Sequence, residues 1–209
     1  MGKLVVGTFL TLDGVMQGPG GPEEDTDGGF EHGGWTVPFW GEGDELMGRF
    51  MDESMQKADA LLLGRKTYEI FAAHWPNVGD DDPMAAKLNS VQKYVASTTL
   101  DNAEWRNSTL IKGDVAEEVA KLKDEKAEIQ VPGSQNLIQT LLKHDLIDEY
   151  RLLIFPVVLG TGKKLFGDGT IPTNLKLVDT KTSGTGVAIN TYEAAGRPEY
   201  GSFALEEQG

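Results

Sequence analysis

The segment Leu61-Leu62-Leu63-Gly64-Arg65-Lys66-Thr67-Tyr68-Glu69 decides the architecture of this chain. Extended back to Ala60, its first half is a short apolar run, of the length and character of a buried strand. Gly64 ends the run, two cations and a threonine follow, and a helix is predicted to start near Thr67. A strand that enters a helix through a glycine leaves N–H groups, a hydroxyl and positive charge at the C-terminal edge of a sheet. That is where α/β folds hold anionic ligands. A merely capped helix with solvated cations would carry the same residue types, because Gly and Thr are common capping residues.

The flanking sequence repeats the pattern. Lys3 to Leu10 is rich in Val, Leu and Phe and runs towards the turn-forming pair Asp13-Gly14, which makes it the first strand. Met16 to Gly43 holds many Gly, Pro and acidic residues and reads as a long loop of the kind that forms lids, with Trp35, Phe39 and Trp40 packing part of it down. Asp44 to Lys57 carries Leu46, Phe50, Met51 and Met55 at helical spacing. Further strands are predicted at Lys93 to Ala96, Thr109 to Ile111, Glu128 to Val131 and Glu149 to Phe155. Val115, Val119 and Leu122 form a helical stripe, and Gln135 to His144 is a helix with Leu137, Ile138, Leu141 and Leu142 on one side. Leu175 to Asp179 and Val187 to Tyr192, around Ser183-Gly184-Thr185-Gly186, form a closing hairpin. Strands alternating with helices predict an α/β fold, with a mostly parallel sheet and an antiparallel end. Residues 1–195 are expected to form one domain and 196–209 a loosely held tail.

Composition narrows the function classes. The 209 residues suffice for one sizeable core. A formal net charge of −14 argues against nucleic acid, whose affinity for proteins comes largely from clustered cations. The longest apolar run, Leu152 to Leu159, includes Pro156 and is far too short to cross a membrane. Leu4 to Leu12 imitates a signal peptide, but Asp13 interrupts it and no small-residue cleavage site follows. With no cysteine, disulfides and thiolate chemistry are excluded, and a cytoplasmic protein is expected. Three scattered histidines make a histidine-rich metal site improbable, so no metal is expected. Gly160-Thr161-Gly162-Lys163-Lys164 reads as a tight turn, and Asp80-Asp81-Asp82 as a solvated loop.

A second strand–glycine–helix junction lies at Val131-Pro132-Gly133-Ser134-Gln135-Asn136-Leu137, where Gly133 permits close backbone approach and the N–H groups after it could cradle a pyrophosphate. It has neither the GxGxxG dinucleotide fingerprint nor the GxxxxGK[ST] phosphate loop.

Taken in order, Thr11-Leu12-Asp13-Gly14, LLLGRKTYE, PGSQNLIQTLL and Leu146-Ile147-Asp148-Glu149-Tyr150-Arg151 leading into FPVVLGTGKKLF resemble the dihydrofolate reductase-like superfamily. The resemblance is to its riboflavin-biosynthesis reductase branch (RibD C-terminal domain-like) and covers Lys3 to about Tyr192. It implies a dihydrofolate reductase-like three-layer fold that binds NADPH. Gly64, Arg65, Lys66 and Thr67 would meet the cofactor, Ser97 and Thr98 its adenosine phosphate, and Gly133, Ser134, Gln135 and Asn136 its pyrophosphate. It also implies a small-molecule substrate and a homodimer. The acid that dihydrofolate reductases carry after the lid corresponds loosely to Asp44 or Glu45. Lys87-Leu88-Asn89-Ser90 stands where a folate-holding arginine would lie, which argues against folate reduction. The zinc deaminase half of the bifunctional riboflavin enzyme needs cysteines that this chain lacks. The expected activity is reduction of a small heterocyclic or carbonyl substrate, with Asp13 and Asp44 as candidate proton-relay residues. Asp13 would otherwise be a turn residue, and Asp44 a helix N-cap. Two alternatives stand beside it: a riboflavin-pathway pyrimidine reductase, which would need cations for the ribityl phosphate of its substrate, and a nucleotide-binding module without turnover.

Overall fold

A computed structural model describes residues 2–41, 45–79 and 81–203. In chain order its elements are β1 (Lys3–Thr11), α1 (Leu46–Gln56), β2 (Ala60–Gly64), α2 (Arg65–His74), α3 (Pro83–Ser90), β3 (Gln92–Ala96) and β4 (Ser108–Ile111), then α4 (Val115–Glu125), β5 (Glu128–Gly133), α5 (Gln135–Lys143), β6 (Glu149–Phe155), β7 (Leu175–Thr182) and β8 (Ala188–Ala194). The strands form one sheet in the order β4-β3-β2-β5-β1-β6-β8-β7. The six strands from β4 to β6 pair in parallel. The C-terminal hairpin joins β6 antiparallel, so the sheet is mostly parallel with an antiparallel end, as the sequence predicts.

Side-chain alternation sorts the core into two layers. Leu4 and Val6 of β1, Leu62 of β2 and Val131 of β5 face α4 and α5, where they meet Val119, Ile138 and Leu141. Leu61 and Leu63 of β2 and Val95 of β3 face the other way, onto Tyr68, Leu88 and Trp105. Further along that second face, Leu153 and Phe155 pack with Met47 of α1 and with Phe30 and Trp35 of the long loop. The loop is pinned by its aromatic residues: Trp35 Nε1 donates to the Gln17 carbonyl at 2.7 Å, and Trp35 and Phe39 meet the Phe155 ring edge-on at 5.4 and 5.5 Å.

Two local expectations change. Helix α2 starts at Arg65, two residues before Thr67. The acidic stretch before Pro83 is no mere solvated loop: Asp82 caps α3, its Oδ1 accepting from Ala85 N at 2.9 Å, with Pro83 in the first turn. Asp80 lies outside the described residues.

Candidate active site

Strands β2 and β5 end side by side, with Leu63 in register with Gly133. Each runs straight into a helix. The N-cap positions of α2 and α5 are Gly64 and Ser134, and neither makes a side-chain capping hydrogen bond, so the first-turn N–H groups of two helices stay available. The two junctions interlock. A Cβ on Gly64 would run into Ser134, and a Cβ on Gly133 into the Thr67 hydroxyl. Only glycine at both places lets the positive ends of both helices converge.

The predicted cofactor residues come together in front of this convergence. Gly64, Arg65, Lys66 and Thr67 line a cleft of about 790 Å³, together with Ser134, Gln135 and Asn136 and with Ser97 and Thr98 beyond β3. Gly133 stands just behind that lining, against Thr67. Ser97 is buried, and its Oγ accepts from Thr99 N at 3.2 Å and Leu100 N at 3.0 Å, which shapes the turn that presents the exposed Thr98.

The long loop and the Gly160–Lys164 turn close one side of the cleft with a square of four charges. Lys66 Nζ lies 3.0 Å from Asp27, and Lys163 Nζ lies 2.6 Å from Asp25 and 2.8 Å from Asp27. Hydrogen bonds from Lys163 and then Lys66 hold the Asp27 carboxyl down at about 2. Burial works to lower the Lys163 pKa, but the two aspartates outweigh it and raise it. Gln17 anchors the loop from beneath, donating to the Asp25 and Asp27 carbonyls. Lys163 belongs to a stretch that reads as a plain turn, and its role depends on a loop far away in sequence.

The deeper half of the cleft lies on the second face of the sheet, between β1 and α1. Gly7 and Phe9 of β1, Phe50, Met51 and Met55 of α1, and Leu153 of β6 give it apolar walls. Its polar residues are Ser54 and Gln130. Behind them runs a buried ionic network. Arg151 grips Glu128 through Nη1 and Nη2 at 2.8 and 2.9 Å, meets Glu149 through Nε at 2.7 Å, and donates from Nη1 to Ser54 Oγ at 2.8 Å. Lys3 completes it on Glu149 at 3.0 Å. Burial alone would raise the Glu149 pKa, yet the bonds from Lys3 and Arg151 leave it lowered. Burial likewise works against the Arg151 charge, and the two glutamates leave its pKa raised. Sequence reasoning missed Ser54 and Gln130, which carry no motif.

Asp13 does not line the cleft. Its Oδ1 accepts from Thr11 Oγ1 at 2.6 Å and Leu159 N at 3.2 Å, and its Oδ2 from Gly160 N at 2.8 Å. The Thr11 hydroxyl is the largest cause that brings its pKa to about 2. A carboxylate so held braces the turn after β1 and is poorly suited to carry a proton, so the expectation of a relay at Asp13 gives way to its turn role. Asp44, the other candidate, lies outside the described residues.

Comparison with known proteins identifies the family and the fold. YyaP of Bacillus subtilis (strain 168), a protein without an assigned role, is 32% identical over 196 residues, which cover 91% of this chain and 94% of YyaP. The fold matches that of a Shewanella sp. PV-4 protein assigned to riboflavin biosynthesis, with a TM-score of 0.70 and 23% identity over 92% of this chain and 99% of that one. It also matches Enterococcus faecalis dihydrofolate reductase, solved in complex with NADP(H), with a TM-score of 0.53 and 16% identity over 92% and 96% of the two chains. The fold is therefore dihydrofolate reductase-like. The model of the RibD C-terminal domain matches residues 2–189, and the chain belongs to that family.

Proposed function

We propose that this protein is an NADPH-dependent reductase of a small heterocyclic or carbonyl substrate. The observation that carries the reading is the convergence of two uncapped helix N-termini, through the Gly64–Ser134 and Gly133–Thr67 contacts, on one cleft with a deep apolar end. The donors fit a dinucleotide. First-turn N–H groups suit a pyrophosphate, Arg65 and Lys66 suit anionic oxygens, and the Ser97 and Thr98 turn, which lines the same cleft, would take the adenosine phosphate. NADPH supplies the hydride when bound; the protein's work is to hold its nicotinamide against the apolar half, to orient the substrate there and to exclude water.

Asp44, on the segment leading into α1, remains our proposed proton-relay residue. Asp44→Asn is expected to lower turnover about tenfold or more while sparing NADPH affinity. A homodimer in the cytoplasm completes the reading. Among the described residues no helix is long and apolar enough to cross a membrane.

The test is the melting temperature with NADPH, with NADH and without ligand. At about a hundred times the dissociation constant, a ligand specific to the folded state adds roughly 2.7 kcal/mol, on the order of 5 to 10 °C for a chain of this size. A rise with NADPH well above that with NADH supports the reading. No rise with either at millimolar concentration overturns it and leaves a family fold put to another use.

A further inference from the structure

Resting on that reading, we propose that the substrate is a neutral molecule without a phosphate group, recognised along an N–H/C=O edge by the Ser54 hydroxyl and the Gln130 side-chain carbonyl. Gln130 is only 7% exposed. Its Nε2 donates at 2.6 Å to two groups that can only accept, the Ser54 carbonyl and Glu128 Oε1. That fixes the orientation of the amide, and among the described residues its Oε1 accepts no hydrogen bond. Ser54 Oγ accepts from Arg151, and among the described residues no acceptor takes up its own proton, so it remains a donor polarised by a guanidinium. The two side chains line the apolar end of the cleft next to each other in the network, one a donor and one an acceptor.

Charge supplies the other half of the argument. Among the described residues, three basic side chains line the cleft, and each already has a carboxylate: Arg65 on Glu69 at 3.1 Å, Lys66 on Asp27 at 3.0 Å and Lys163 on Asp25 at 2.6 Å. Arg151, behind Ser54, is spoken for by Glu128 and Glu149. The loop adds a further carboxylate to the lining at Glu24, whose Oε2 accepts from Gly20 N and Gly21 N. The dinucleotide takes the helix N-termini, Arg65 and Lys66 for its phosphates, and Lys163 stays between Asp25 and Asp27. A phosphate on the substrate would find no cation left for it and would meet acidic walls. This separates the chain from a pyrimidine reductase that works on a ribityl phosphate.

The test is binding to NADPH-saturated protein, followed by tryptophan fluorescence, with three matched probes. Uridine presents the edge, N3-methyluridine lacks its N–H, and uridine 5′-monophosphate adds a phosphate. Uridine is expected to bind about tenfold or more tightly than either of the others, the loss that one neutral hydrogen bond or one uncompensated charge produces. Ser54→Ala should weaken uridine about tenfold with NADPH affinity unchanged, and Ser54→Thr should restore it. Gln130→Leu should erase the preference for uridine over N3-methyluridine. Equal or tighter binding of the monophosphate, or no uridine binding at millimolar concentration, overturns the inference while NADPH binding stands. Failure of NADPH itself to bind would instead bring down the reductase reading.

Discussion

The place a Cβ would take on Gly133 is already filled by the hydroxyl of Thr67, so the end of β5 and the first turn of α2 are packed as one piece. Gly133→Ala must push them apart. Forcing a methyl into so tight a contact costs about 1 to 3 kcal/mol and splays the two helix N-termini. The expected result is at least a tenfold loss of NADPH affinity, measured by fluorescence titration, with a lower melting temperature. Gly48→Ala in α1 is the control. Nothing lies within 4 Å of a Cβ there, and removing a helical glycine should stabilise by roughly 0.5 to 1 kcal/mol without touching NADPH binding.

Arg151 is the keystone beneath the deeper half. Removing it strips Glu128 of its cation and leaves Glu149 with Lys3 alone; breaking a buried pair in this way typically costs about 3–5 kcal/mol. Arg151→Met is therefore expected to lower the urea midpoint strongly. Glu128→Gln with Arg151→Gln should lose less than the sum of the two single changes, because the pair acts as a unit.

How much of this was legible in the sequence depended on whether the cause was local. Leu61 to Leu63 and the second half of Glu149 to Phe155, Leu152 to Phe155, read as strands because burial on both faces of a strand leaves an apolar run. Gly64 and Gly133 read as junctions because the demand for a missing side chain falls on one residue. Helix α3 escaped notice although Asp82-Pro83 is a start signal, since Met84-Ala85-Ala86-Lys87-Leu88 is too short for a helical stripe to stand out. Lys163, Ser54 and Gln130 could not be found that way. Their roles arise from contacts with distant segments, and a lysine in a turn or a serine on a helix looks the same with or without such a partner.

Acid should loosen the loops before the core. Asp13 and Asp27 both have their pKa held near 2, below the ordinary 3.8, by hydrogen bonds present only in the folded protein. A carboxyl whose folded pKa is depressed stabilises above its unfolded value. Its contribution fades as pH falls from about 4 towards 2. In the double variant Asp13→Asn with Asp27→Asn, melting temperature should fall less steeply across that window than in the wild type. Equal slopes would show that the hydrogen bonds on these two carboxylates do not form in solution.

Lys93 adds a dependence of the same sign at alkaline pH. It is fully buried, with Nζ donating to the Leu88 and Val91 carbonyls at 2.8 Å each, below the end of α3, and lying 4.3 Å from the Trp105 ring centroid. Burial brings its pKa down to about 8 from 10.5. Between those values the unfolded chain keeps a proton that the folded one has released, so this residue's contribution to stability rises with pH through the window. Lys93→Met keeps the stem but leaves two buried carbonyls unpaired, a loss of about 2 to 4 kcal/mol that relief from burying a charge partly offsets. The variant should therefore be less stable at pH 7, and the wild-type gain between pH 7 and 10 should disappear from it. That range stays below the region where Tyr150, pushed up to about 12 by burial, would add a contrary term. Urea unfolding at the two pH values reads both effects. A variant that kept the full alkaline gain would place its source in another group.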